Sequence, residues 1–100
     1  MQIFKTQGDF LSAFPIRDNI INLRGMSVKL LFNLDVTMSV SIANAGNINA
    51  YDISTRHINA GNIEYYAVCF AYHSIICKSI TGERRNARHF CLDGDITIAV

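Results

Sequence analysis

Between Asn47 and Ile63 the chain reads NINAYDISTRHINAGNI, and an isoleucine returns every fifth residue, at Ile48, Ile53, Ile58 and Ile63. An α-helix repeats its face at 3.6 residues and a flat strand at two, so neither has a period of five. The residue two after each isoleucine is small or apolar as well: Ala50, Thr55, Ala60 and Tyr65. Extended outwards, the two positions become Met38/Val40, Ala43/Ala45, Ile48/Ala50, Ile53/Thr55, Ile58/Ala60, Ile63/Tyr65, Val68/Phe70, His73/Ile75 and Lys78/Ile80. Of these 18 positions 15 are apolar, against 9 of the other 25 between Met38 and Ile80, so the phase carries information. The exceptions are Thr55, His73 and Lys78.

Residues two apart share one face of an extended chain. Each unit therefore turns two side chains inward, and its remaining residues turn a corner. Corner residues include Tyr51-Asp52, Arg56-His57 and Gly61-Asn62. Glycine and asparagine tolerate the left-handed conformations that such corners use. A chain that repeats short strand and corner winds into a solenoid, with each coil hydrogen-bonded to the next as a parallel sheet. The expected fold is all-β: a short right-handed parallel β-helix with a short helical cap at the N-terminus and a closing β segment at the C-terminus. Ordinary antiparallel hairpins are the competing reading. They favour Asn-Gly turns, whereas Gly46-Asn47 and Gly61-Asn62 have the reverse order.

The units of this stretch resemble those of pentapeptide-repeat proteins. Asn47, Asp52 and Asn62 stand just before the large apolar residue, as in that family's Ala-(Asp/Asn)-Leu-x-x unit. The small residue falls two after the isoleucine and not two before, so the likeness is to a variant. The resemblance implies a right-handed, four-sided β-helix with about twenty residues per coil. The unit is also similar to the INAGNI-type repeats of small uncharacterised bacterial and phage proteins. For some pentapeptide-repeat proteins the family implies mimicry of DNA and inhibition of DNA-handling enzymes.

One hundred residues make a single domain. It divides into an N-terminal cap over 1–25, coils over 26–80, and a C-terminal loop and strands over 81–100. In the cap, GDFLSAFP predicts a short helix, with Asp9 as its cap and Pro15 just beyond it. Phe10, Leu11 and Phe14 would close the apolar end of the solenoid. From Val28 the chain alternates, with Val28, Leu30, Phe32, Leu34, Val36, Met38, Val40 and Ile42 on one parity. At the far end, Phe90 and Leu92 precede Asp93-Gly94, and Ile96, Ile98 and Val100 follow it. That segment is either the last coil or a closing hairpin. Either leaves a sheet edge, which predicts a homodimer through the solenoid end or edge strand.

A net charge of +1 with a pI near 7.8 argues against direct nucleic-acid binding, and equally against DNA mimicry. The most apolar stretch, MSVKLLFNLDVTMSVSIANA, alternates and is broken by Lys29 and Asp35, so no membrane span is expected. The N-terminus has no apolar run of a secretion signal, and three scattered cysteines fit a reduced compartment. The expectation is a soluble cytoplasmic protein, in the host cytoplasm if it is phage-encoded.

Cys69, His73, Cys77, His89 and Cys91 carry metal-ligating and nucleophilic chemistry. Their spacing lacks Cys-x-x-Cys, and His73 falls on an inward position of the repeat. No metal, no cofactor and no catalytic residue is therefore expected, and the chain is read as no enzyme. What the repeat leaves outside is richer in binding chemistry. Tyr51, Tyr66 and Tyr72 are out of phase with the core, and Arg56 and His57 sit at a corner. Arg84, Arg85 and Arg88 form the one basic cluster. Tyrosine and arginine dominate protein interfaces. These eight residues are the candidate surface of a non-enzymatic protein-binding module. By analogy with the family, it would be a phage-type inhibitor of a bacterial defence enzyme, anti-CRISPR-like, acting by protein contact. The alternative is a structural or self-assembling β-solenoid unit.

Overall fold

The computed structural model describes residues 1–36 and 39–98. In chain order its elements are β1 (Gln2–Phe4), α1 (Gln7–Ala13), β2 (Ile20–Asn22), β3 (Val28–Leu30), β4 (Leu34–Asp35), β5 (Ser41–Ala43) and β6 (Ile48–Ala50). Then follow β7 (Ile53–Asn59), β8 (Asn62–Tyr65), β9 (Val68–Cys77), β10 (Ser79–Gly82), β11 (Arg88–Cys91) and β12 (Ile96–Ile98). Every pairing between these strands is parallel. The chain is a β-solenoid of about four turns.

The coil has three sides. On face one, β1, β3, β6, β8 and β10 stack in that order. Face two stacks β4, the first half of β7, the first half of β9, and β11. Face three stacks β2, β5, the second halves of β7 and β9, and β12. Ile48 lies directly under Ile63, one coil and three five-residue units later. Ile53 stacks under Cys69 and Ile58 under Ile75, one on each of the other two faces. The four-sided coil implied by the family resemblance is thus not the geometry here, because Ile63 closes onto Ile48 after three sides.

The five-residue phase holds where the units are tight. Ile48, Ala50, Ile53, Thr55, Ile58, Ala60, Ile63 and Tyr65 are all buried. Beyond Tyr65 the corner takes one residue more. The next inward pairs are Cys69/Ala71 and Ile75/Cys77, all buried. Val68 and His73, expected inward, are exposed, as is Lys78, and Phe70 is half-buried. Upstream, the alternating parity prevails: Val28, Leu30, Leu34, Val36, Val40 and Ile42 are buried, while Ala43 and Ala45 are only partly so. Met38 of that run and Val100 of the last one lie outside the described residues.

The corner glycines serve close approach and not a left-handed backbone. A Cβ on Gly61 would lie 2.8 Å from the Gly46 carbonyl oxygen, and one on Gly46 would lie 2.7 Å from Ser27 Oγ. Arg24, Gly25 and Asn44 are the positions near this corner that do take positive φ. Serine and asparagine side chains tie the same corner together: Asn47 N donates to Ser27 Oγ (2.9 Å), and Asn62 N donates to Asn47 Oδ1 (3.1 Å). Ser79 Oγ then donates to Asn62 Oδ1 (2.8 Å).

The N-terminal end is closed twice over. The α1 helix starts at Thr6 and not at Asp9: Asp9 N donates to Thr6 Oγ1 (3.1 Å), and Asp9 itself sits in the first turn, where its charge suits the helix dipole. Phe10 is fully buried and packs with Phe4, Phe14 and Phe32 over the open core. The Gln7 side chain also closes the edge of β4. Its Nε2 donates to the Asp35 carbonyl and its Oε1 accepts from Asp35 N, both at 3.1 Å. At the other end β11 and β12 both pair parallel with β9. Asp93-Gly94 is therefore a corner of a last coil and not a hairpin turn.

Ile58 is fully buried between Ile42 and Ile75. A charge there has no partner inside the coil. Ile58→Asp is expected to abolish the cooperative unfolding transition in circular dichroism; a native-like transition would refute the inward phase. Thr55 is also fully buried, and its Oγ1 has no hydrogen-bond partner among the described residues. Thr55→Val keeps the shape and removes the unpaired hydroxyl. It is expected to stabilise by about 1 kcal/mol, a rise in Tm of roughly 4–8 °C; a fall in Tm would count against the unpaired hydroxyl.

Candidate protein-binding corners

Three sides make three corners, and the expected surface residues divide between two of them. At the corner joining faces one and two, Tyr51, Tyr66 and Arg84 stand above one another on successive coils. Backbone bonds fix that stacking: Tyr66 N donates to the Tyr51 carbonyl and Arg84 N to the Tyr66 carbonyl, each at 2.8 Å. The two rings meet edge to face, with centroids 6.2 Å apart and planes at 64°. Arg84 Cζ lies 5.9 Å from the centre of the Tyr66 ring, within cation–π range. Both rings remain about half exposed, at 48% and 46%.

Polar side chains brace this corner from beside it. Asp52 N donates to Asn33 Oδ1 (3.3 Å), and Val68 N donates to Asp52 Oδ1 (3.1 Å). Asn33, Tyr51, Asp52, Tyr66, Ala67 and Arg84 together line a shallow groove. Rigid aromatic area at low entropy cost, a fixed guanidinium and flanking polar groups are the ingredients of an interface anchor.

The second corner joins faces two and three and holds Arg56, His57 and Tyr72. Arg56 is exposed at the register shift between Thr55 and His57, with its N–H donating to the Val40 carbonyl (2.8 Å). His57 is half-buried, and its Nδ1 hydrogen-bonds Ser74 Oγ. Burial, helped by the neighbouring His73, pushes the His57 pKa down, which favours the neutral ring. Tyr72 is half-buried, and its carbonyl accepts from Asp93 N (2.9 Å). This corner is thus more internally engaged than the first. Arg85 is exposed in the loop after β10. Arg88 opens β11, with Cζ 5.6 Å from the Phe90 ring.

Face two carries an aromatic pair that the sequence reading missed. Phe70 and Phe90 are directly paired, point outward, and stack with centroids 5.0 Å apart. The five-residue phase places Phe70 inside, but the longer corner after Tyr65 turns it outward.

The sulfur and imidazole groups do not form a metal-ligand set. Among the described residues no three His, Cys, Asp or Glu side chains are placed to share a metal ion. His73 is exposed on the surface, while Tyr65 Oη and His89 Nδ1 are 2.7 Å apart near the last coil. All three cysteines are free. Burial, with the other two thiols nearby, pushes Cys69 up to about 12, and burial raises Cys77 and Cys91 as well. Raised thiols are protonated at neutral pH and are poor nucleophiles. In the native protein, thiol titration with a disulfide reagent at pH 7.5 is expected to modify Cys91 first. Cys69 and Cys77 should react only on the unfolding timescale; rapid modification of all three would contradict their burial.

In comparisons with known proteins, no family model, no curated protein and no solved structure matches this chain. No helix among the described residues is long and apolar enough to cross a membrane.

Proposed function

We propose that this chain is a non-enzymatic protein-binding module that acts through direct contact. The observation that carries the reading is the Tyr51–Tyr66–Arg84 ladder. Its side chains are exposed, yet each is held in place by the coil beneath it, so little ordering cost remains on binding. Phe70, Phe90 and Arg88 extend the same kind of surface across face two. The raised thiols support a role by contact over covalent catalysis, and the small net charge favours a protein over a nucleic acid as partner. The resemblance of the unit to pentapeptide repeats suggests inhibition as the mode of action, and its resemblance to INAGNI-type repeats of bacterial and phage proteins suggests an origin. The proposal is a phage-type inhibitor of a bacterial defence enzyme, anti-CRISPR-like, working in the host cytoplasm.

In a target-cleavage assay with purified CRISPR effectors, the wild-type protein is expected to inhibit one of them stoichiometrically. Tyr66→Ala combined with Arg84→Ala should raise the half-inhibitory concentration by about thirtyfold or more, the range of a lost hot spot, while Tm stays within a few degrees. Equal inhibition by the variant would remove the corner from the interface, and no inhibition of any effector would remove the inhibitor assignment.

A second reading, a structural or self-associating solenoid, is favoured by a different observation. The last coil is uncovered: Ile98 and Leu92 are 47% and 65% exposed although β12 continues the inward pattern of face three.

A further inference from the structure

The two ends of the solenoid are built differently. At the N-terminal end a buried phenylalanine covers the core, and a glutamine amide satisfies the edge of β4. There β1 and β2 are also outermost strands, β2 being met by the antiparallel Arg17–Ile20 bridge. At the C-terminal end, among the described residues, β10, β11 and β12 each pair on one side only, so all three faces end in open strand edges on the same coil. Side chains at inward positions of that coil show the same lack of cover. Ile80, Cys91 and Ile96 are only half-buried, and His89 is exposed although it stacks directly on Cys69.

We infer that this end is a two-fold interface with a second copy of the chain, in which β11 pairs antiparallel with the second copy's β11 and β10 pairs with the second copy's β12. The inference rests on the self-association reading above and specifies its geometry.

Three observations select that arrangement. The first is shape. A single extended peptide can add to one open edge, but only another three-sided coil offers three edges at once. A two-fold axis through the middle of β11, perpendicular to the solenoid axis, maps face two onto itself and exchanges faces one and three. The exchanged strands match in length, four residues in β10 and three in β12.

The second observation is rise. A coil climbs by one strand spacing per turn, about 4.8 Å, so β10 is the lowest strand of the last coil, β11 intermediate and β12 the highest. Pairing the lowest strand with the highest, and the middle with itself, cancels the climb. The same antiparallel arrangement closes on two copies and uses up the C-terminal edges of both.

The third observation is charge. The corner before β11 carries Arg84 and Arg85 against a single Glu83, Arg88 follows as the first residue of β11, and the corner after β11 carries Asp93 and Asp95. Antiparallel pairing of β11 with its copy brings the basic corner of each chain against the acidic corner of the other. A head-to-head contact in any other rotation would set like charges together. Taking the two smaller molecular extents, 27 and 25 Å, as the size of the end, a pair buries roughly 1,000 Å² in total, the lower limit for a specific interface.

The test uses sedimentation equilibrium and light scattering on three forms of the full chain. Wild type is expected to form a concentration-dependent dimer and nothing larger. Asp93→Lys with Asp95→Lys makes both corners basic, and Arg85→Glu with Arg88→Glu makes both acidic; each double variant should weaken self-association by about tenfold or more, more so at low salt. Mixed in equal amounts, the two variants should form a heterodimer at wild-type concentrations, since both corner contacts are then complementary. The readout is self-association of the pure chain, so damage to the proposed inhibitor surface, to which Arg88 also belongs, cannot imitate the result. A monomeric wild type would overturn both the self-association reading and this geometry. A wild-type dimer with no recovery on mixing, or with species beyond the dimer, would overturn the geometry alone.

Discussion

Everything in this molecule depends on the parallel backbone ladder between one coil and the next. A strand of two to four residues has too few hydrogen bonds to stand alone. It persists because an equivalent strand lies above or below it in register. That condition acts directly on side chains. A residue pointing inward on one coil rests on the residue that points inward on its neighbour, as Ile48 rests under Ile63 and Ile42 under Ile58. The same condition acts on corners, where backbones stack as closely as strands do. Gly46 and Gly61 occupy the place where a Cβ would strike the carbonyl or hydroxyl of the coil next to it. Ser27 Oγ and Asn47 Oδ1 accept from the backbone N–H groups of Asn47 and Asn62 at that corner. The visible repeat is the imprint of that single requirement.

The requirement explains which parts of the fold were legible. Solenoid architecture could be read from the isoleucine period, since only stacked short strands make use of a period of five. The number of sides could not be read from that period alone. It was present in a second signal, the segment Asn-Ala-Gly-Asn-Ile, which occurs at 44–48 and again at 59–63. Two identical corners separated by three units mean three sides. The slip after Tyr65 was hidden for a physical reason. Val68, Cys69, Phe70 and Ala71 are all apolar, so both parities look fit for the interior. Only the pairing with β7 decides that Cys69 and Ala71 go in. The helix start was readable, because Thr6 precedes Asp9 by three residues, the spacing of a capping interaction.

The candidate site divides along the same line. Tyr51 and Tyr66 stand out for being out of phase and Arg84 for its basic cluster, and stacking brings the three together because residues at one corner repeat from coil to coil. Arg56, His57 and Tyr72 obey the same logic at another corner, which the sequence could not distinguish without knowing how many corners exist. Phe70 and Phe90 escaped notice because an outward aromatic in an apolar run looks like core. A rigid coil thus converts sequence period into surface period. Binding chemistry gathers wherever the repeat tolerates variation, which is at corners and on outward strand positions.

The ends are where a solenoid must solve a problem that its repeat cannot solve. Inside the stack every edge has a neighbour, and at each end one edge and one layer of core are left over. The N-terminal end is resolved within the chain by Phe10 and by the Gln7 amide, which imitates one residue of a missing strand. The last coil shows no such substitution among the described residues: its inward residues include His89, an imidazole paired with Tyr65 at 2.7 Å and otherwise open. A polar ring at a position occupied by cysteine and isoleucine on the coils below is a poor floor for a further apolar layer. It suits a surface that is wet in one state and covered in another. This difference between the ends, together with the opposite charges on either side of β11, is what the proposed pairing with a second copy rests on.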